Sequence, residues 1–385
     1  MKNTKNFNYE KKRNCFQDTE EVHSYLLYKN VKCDKKPWIT VFVPTYKRLD
    51  MLKDAVNSIL KQWMVEFYWD FLIVDNEPYD GKPNETEIWL RELDCSRITY
   101  YRNEKNMKPG DNFNRGILLA RGEWVMMLHD DDMLLPNSLQ NMGRNIRYLQ
   151  SVVKKPLGAI SASYYMIAYD KEHPKKSNTE MTRISQYFEG QKTNYSLIKL
   201  TQKHILLTGH IGGDVPSNGT TYNRNAVLEV GGFNENLGIC CDLILFYQLE
   251  KKYSVYSTTV PLGFYRWGEN AMVNSDSTYK VIRDCFEFRE YVYSKNIFTR
   301  IWGHIFRSAQ YYDFSNDVIK QKITATKEEI SLSNFNGIYS ELPNKFILVC
   351  YRIVKYIYGY SLLKKAQCLE NKSKEMHDKL MYYKE

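Results

Sequence analysis

Asp130, Asp131 and Asp132 stand in a row after the apolar run WVMML and His129, with Pro136 four residues beyond the last of them. Adjacent carboxylates repel one another, and a hard divalent cation held by oxygen ligands is the usual compensation. Mn2+ or Mg2+ at such a turn bridges a diphosphate and neutralises its charge as it leaves. The alternative is a solvated acidic loop, which the buried-looking strand just before it disfavours. Asp75 closes a second apolar run, FLIVD. A carboxylate there either takes a hydrogen bond from a nucleobase or ribose, or caps a turn. Asp242 opens the helical run LILFYQL, where the two roles on offer are an N-cap and a general base for a hydroxyl. One residue can fill both.

The elements that must position these residues follow from pattern. WITVFVPTY, over residues 38–46, is a continuous apolar run, as expected of a strand buried on both faces. A helical period follows over 48–62, a second strand over 67–78, a helix over 86–94 and a third strand over 97–104. A helix over 112–122 ends at Gly122, and a fourth strand over 123–136 runs into the acidic turn. Alternating strands and helices are the mark of βαβ units around a parallel sheet, whose ligands sit beyond the strands' carboxyl ends. Those ends carry Pro44-Thr45-Tyr46, Asp75-Asn76 and His129 to Asp132. Residues 157–170 read as another strand and 171–200 as a polar loop.

Composition narrows the class only a little. The chain has 385 residues, 43% of them hydrophobic and 14% aromatic, which suits one large domain with an appendage. A net charge of +9 fits an anionic small substrate, a phospholipid surface or nucleic acid equally. Cations and carboxylates are interspersed rather than striped, which speaks against nucleic acid. The eight cysteines form no C-x-x-C pair, and the first residues hold no apolar run of signal-peptide type. Free thiols in a cytoplasmic protein are the expectation.

The segments FVPTYKRLDMLKDAVNSILKQ, FLIVDNEP, NFNRGILLARGEWVMMLHDDDMLLP and GGFNENLGICCDLILFYQLEKK, in that order over roughly residues 37–270, resemble the family 2 glycosyltransferases. The resemblance implies a GT-A fold: α/β, Rossmann-like, with a mainly parallel central sheet flanked by helices. The catalytic domain then spans 37–275, and composition and helical pattern add a polar lead-in over 1–36 and a helical C-terminal extension over 276–385. By the same resemblance Pro44, Tyr46 and Arg48 line the nucleotide pocket. Asp75 holds the base, typically uracil. Asp131, flanked by Asp130 and Asp132, binds the Mn2+ or Mg2+, and Asp130 also borders the nucleotide-sugar. Arg266 contacts the diphosphate, and Asp242 is the catalytic base. Three positions depart from the family pattern: His129 stands for a common Asp, Cys241 for Glu, and Trp267-Gly268 for a His region.

The implied reaction is inverting transfer from a nucleotide-diphospho-sugar, UDP-linked by expectation, to a glycan or lipid-linked saccharide in cell-envelope polysaccharide synthesis. A non-catalytic nucleotide-sugar or glycan-binding module of the same fold is the competing reading. A nucleotidyltransferase would carry a glycine-rich phosphate loop that VPTYKRLD lacks. Beyond residue 280, TRIWGHIFRSAQYYDF and NKFILVCYRIVKYIYGYSLLKK mix apolar, aromatic and basic residues at helical spacing. They pack on the catalytic domain or a second subunit, or they dock on the inner face of the membrane.

Overall fold

The computed structural model describes residues 9, 13–31, 35–168, 179–181, 197–207, 217–238, 240–267, 275–326 and 342–382. The chain opens with helix α1 (Phe16–Glu20) and strand β1 (Ser24–Val31). The predicted alternation follows as β2 (Ile39–Thr45), α2 (Leu49–Leu60), β3 (Trp69–Asp75), α3 (Glu85–Leu93), β4 (Arg97–Asn103), α4 (Pro109–Leu119) and β5 (Trp124–Met127). Next come β6 (Met133–Leu134), α5 (Ser138–Val152), β7 (Leu157–Ala168), β8 (Thr179–Met181), β9 (Leu197–Leu200) and α6 (Gln202–Leu207). The remainder is β10 (Thr221–Asn223), α7 (Arg224–Val230), α8 (Cys241–Lys252), β11 (Ser254–Trp267), α9 (Ser275–Ser294), α10 (Ile297–Thr326) and α11 (Lys345–Tyr382).

The strands form one mixed sheet in the order β1-β4-β3-β2-β5-β10-β7-β11-β6, with β8 on β7 and β9 on β11. Its heart, β4-β3-β2-β5, is parallel. The strand order reverses at β2, which leads by α2 to β3 on one side and lies against β5 on the other. That switch point is where an open α/β sheet leaves a crevice.

Burial on both faces explains why these strands read as continuous apolar runs. Ile39, Val41, Val43, Phe71, Ile73, Trp124 and Met126 join the core cluster that includes Leu52, Val56, Leu90 and Ile146 of α2, α3 and α5. Their neighbours Phe42, Leu72, Val74, Val125 and Met127 point to the opposite cluster, with Ile117 of α4 and Leu243, Leu245 and Leu249 of α8. Gly116 makes room for this packing, since a Cβ there would lie 2.1 Å from the Phe42 ring. Helices α9 and α10 contribute Phe286, Phe288, Tyr311 and Phe314 to the same second cluster, so they are built onto the core that α8 covers.

Strand β1 falls within the polar lead-in and pairs antiparallel with β4 along the sheet edge. Parts of the stretch read as a loop, 171–178 and 182–196, lie outside the described residues, as do 169–170 at the end of the strand expected before it, while β8 and β9 fall within the stretch.

Candidate active site

The acidic turn leaves the sheet at the switch point. The Leu128 N–H still donates to the Phe42 carbonyl (2.9 Å), and the next residues fold back with the Asp132 N–H on the His129 carbonyl (3.1 Å). Pro44 aims its missing N–H at the same edge, two residues past Phe42 and beyond Met127, the last β5 residue in the ladder. A proline inside a central strand is tolerated there because its neighbour has already turned away.

All three carboxylates are buried: Asp130 is 6% exposed, Asp131 7% and Asp132 1%. They are not equivalent. Asp130 faces the end of β2, accepting from Thr45 Oγ1 (2.8 Å) and pairing with Arg48 Nη1 (3.3 Å). Burial, reinforced by the charge of Asp131, pushes its carboxyl up to about 7. Asp131 pairs with the same Arg48 nitrogen at 3.0 Å. Asp132 Oδ1 accepts the Arg266 backbone N–H (2.7 Å) from β11, while Oδ2 is buried with no hydrogen-bond partner. Burial, then Asp131, holds its carboxyl well above the ordinary range.

His129 adds a nitrogen. Its ring stacks near Phe113 (centroids 5.6 Å apart), and Nε2 lies 3.1 Å from Ser217 Oγ. Its backbone N–H donates to Asn218 Oδ1 (2.8 Å). Burial lowers its pKa and favours the neutral ring. Ligand atoms of His129, Asp131 and Asp132 lie within 4.8 Å of one another. A neutral imidazole and two carboxylates, one of them with an orphaned buried oxygen, make a donor set that fits a divalent cation. Asp130, counted among the metal ligands from sequence, accepts from Thr45 and shares Arg48 with Asp131.

Asp242 sits in the first turn of α8, where its Oδ1 accepts the Leu243 N–H (2.8 Å). Burial raises its carboxyl to about 6, against the pull of the backbone N–H groups of Leu243 and Ser217. Ser217 therefore touches both halves of the site, the base through its N–H and His129 through its hydroxyl. Gly219 sustains this segment at φ +68°, and its N–H reaches the Met127 carbonyl at 2.6 Å.

The other expected residues divide. Arg48 and Tyr46 stand at the mouth, with Tyr46 40% exposed and Lys47 between them held at φ +52°, a conformation rarely adopted outside glycine. Asp75 is 1% exposed and accepts from Glu77 N–H (2.9 Å), Asn84 Nδ2 (2.9 Å) and Tyr100 OH (2.8 Å). These bonds anchor the 76–84 turn to the end of β3 and leave one acceptor position on Oδ1. Arg266 sends its guanidinium to Asp54 of α2 and toward Met133 Sδ. The Gly268–Asn270 part of its motif lies outside the described residues.

Sequence reasoning did not assign His129, Ser217, Thr45 or Asp54 to the site. Thr45 and His129 had a signal, their places at the ends of the strands that meet at the crevice.

Comparison with known proteins gives a match of the glycosyl transferase family 2 model to residues 40–202. An uncharacterized glycosyltransferase of Methanocaldococcus jannaschii is 30% identical over 117 residues, 30% of this chain and 38% of that protein. The abequosyltransferase RfbV of Salmonella typhimurium is 32% identical over 101 residues, 26% of this chain and 30% of its own. The GalNAc(5)-diNAcBac-PP-undecaprenol beta-1,3-glucosyltransferase of Campylobacter jejuni is 31% identical over 107 residues, covering 28% and 33%. The matched part of this chain thus spans about a third of the length of these relatives.

Proposed function

We propose that this chain, whose residues 40–202 match the glycosyl transferase family 2 model, moves a sugar from a nucleoside-diphosphate donor to an acceptor hydroxyl with inversion at the anomeric carbon. The observation that carries the reading is Asp242, a half-buried carboxylate with its pKa raised to about 6, joined through Ser217 to the His129–Asp132 turn. A group that titrates near neutral pH is matched to taking a proton in the transition state. A module that only binds sugar has no use for it.

In the proposed step Asp242 accepts the acceptor's hydroxyl proton as that oxygen bonds to the anomeric carbon. The bond from that carbon to the diphosphate oxygen breaks on the opposite face, and the diphosphate leaves with the electron pair. His129, Asp131 and Asp132 would hold a divalent cation, which when bound would neutralise charge on that leaving group. Arg48, already at the mouth beside Asp130 and Asp131, adds a positive charge, and Tyr46 offers an exposed ring for the nucleoside. Asp75 fixes the turn that walls the nucleoside side. Two relatives, an abequosyltransferase and a glucosyltransferase for an undecaprenol-linked saccharide, support the proposal of a glycan or lipid-linked acceptor in envelope polysaccharide synthesis.

The pH dependence follows with a definite sign. The base form of Asp242 is required, so kcat should be flat above its pKa and fall about tenfold per pH unit once pH drops below about 6. A pH–rate profile of transfer from the working donor checks it. A rate that holds constant down to pH of about 4 contradicts the assignment.

An imidazole in the cation set also predicts selectivity. Nitrogen donors favour Mn2+ or Co2+ over Mg2+, whereas an all-carboxylate turn suits Mg2+. Calorimetry should show Mn2+ binding about tenfold or more tighter than Mg2+, and His129→Asp should narrow that gap. Equal affinities that His129→Asp leaves unchanged would remove His129 from the set.

A further inference from the structure

Helix α11 turns a stripe of apolar side chains outward. Phe346, Val349, Ile353, Tyr356 and Tyr360 recur every three or four residues and are 49–72% exposed. The opposite face meets the protein. Tyr351 is fully buried beside Phe306, and Arg352 and Lys355 both reach Asp313 of α10, at 3.0 and 2.6 Å. A surface helix ordinarily does the reverse and turns its apolar stripe to the core. Such a stripe left in water marks a contact surface.

Charge selects the occupant. Residues 342–369 contain no Asp or Glu but hold Lys345, Arg352, Lys355, Lys364 and Lys365. The first half of α10 repeats the composition: Ile297, Phe298, Ile301 and Ile305 are 42–81% exposed, and residues 295–312 also lack any acid. Pairing with a second copy is disfavoured. A parallel arrangement sets each lysine opposite itself, and an antiparallel one centred on Ile353 brings Lys345 toward Lys364, with no carboxylate in the stretch to compensate. Spanning a bilayer is disfavoured as well, since no described helix is long and apolar enough to cross one. Arg352 and Lys355 also tie the middle of α11 to Asp313.

We propose that this face docks on an anionic phospholipid surface, with α11 lying in the plane of the interface. From Phe346 to Tyr360 the stripe is about 21 Å long, all of it on one side of the helix. The apolar side chains enter the boundary between headgroups and acyl chains, the tyrosine hydroxyls stay at the wet edge, and the lysines at both ends meet phosphates.

The test is flotation of the full chain with vesicles of phosphatidylcholine alone and of phosphatidylcholine mixed with phosphatidylglycerol. The triple substitution F346S/I353S/Y356S serves as the variant, because its positions face outward and leave the Asp313 contacts intact. Binding should require the anionic lipid, weaken with salt, and fall at least about tenfold in the triple variant. Unchanged melting temperature would show that the variant still folds. Three outcomes overturn the proposal: no binding to anionic vesicles, binding that the triple variant retains in full, or a wild-type dimer in light scattering that the variant dissolves.

Discussion

Replacing Asp242 with Asn is expected to lower sugar transfer at least about a thousandfold while leaving donor affinity within about twofold. General-base catalysis contributes roughly a hundred- to ten-thousandfold, and the amide keeps the shape of the carboxylate but cannot accept the proton. The backbone N–H of Leu243, which donates to Oδ1 in the native protein, still finds a carbonyl oxygen in the variant. The same substitution should raise thermal stability. In the folded protein the carboxyl is raised to about 6 from an ordinary 3.8, so folding favours its protonated form. Ionisation therefore costs nothing at a pH below the unfolded value. The cost grows as pH rises between the two values and is fully present above the folded one. Asn removes a penalty on the order of 2 kcal/mol at neutral pH, which corresponds to a melting temperature a few degrees higher. A variant that is less active and more stable is the signature of a functional group held against the preference of the fold. Transfer within tenfold of wild type would exclude Asp242 as the base, whatever the stability change.

Asp132→Asn should have a comparably large effect by another route. Asp132 is 1% exposed and its Oδ2 is buried without a partner, an expensive arrangement unless something binds there. Asn retains an oxygen for the Arg266 N–H, so the contact between the turn and β11 survives. What is lost is one of two negative charges facing His129. Cation affinity should fall about a hundredfold, and kcat/KM by a similar factor, because hard divalent ions depend on the number of charged oxygen ligands. Calorimetry of Mn2+ and of nucleoside diphosphate in its presence separates this from a purely structural role. If Asp132 served only to hold β11, the variant would bind both as wild type does and would lose stability instead.

Much of this site was legible in the sequence because its positioning strands are buried on both faces. Residues 41–44, 71–74 and 124–128 are unbroken apolar runs, and each is followed by a polar residue at the crevice. The parallel order and the place of the acidic turn follow from that grammar, whereas the resemblance decided the base role of Asp242 at the head of α8. Other features were hidden for identifiable reasons. Strand β1 is an edge strand with one wet face, so SYLLYKNV offers no continuous apolar run, and its pairing with β4 has no local signal. Ser217 lies 88 residues from His129 and meets it only through the return of β10 between β5 and β7. The partners of Asp75 were hidden because they arrive from elsewhere: Asn84 after a turn, and Tyr100 from the neighbouring strand. Arg48 pairs with both Asp130 and Asp131, so only the tertiary hydrogen bond from Thr45 sets Asp130 apart from the two aspartates that face His129.

Direct attack at the anomeric carbon, with displacement of a nucleoside diphosphate, can be watched by proton NMR of purified protein with Mn2+ and a panel of α-linked UDP-, GDP- and TDP-sugars, with water as the default acceptor. Nucleoside diphosphate should be released from one donor, with the β-anomer of the free sugar appearing first, and that signal should be lost in Asp242→Asn. Initial appearance of the α-anomer, or no turnover and no nucleotide binding across the panel, would contradict this reaction.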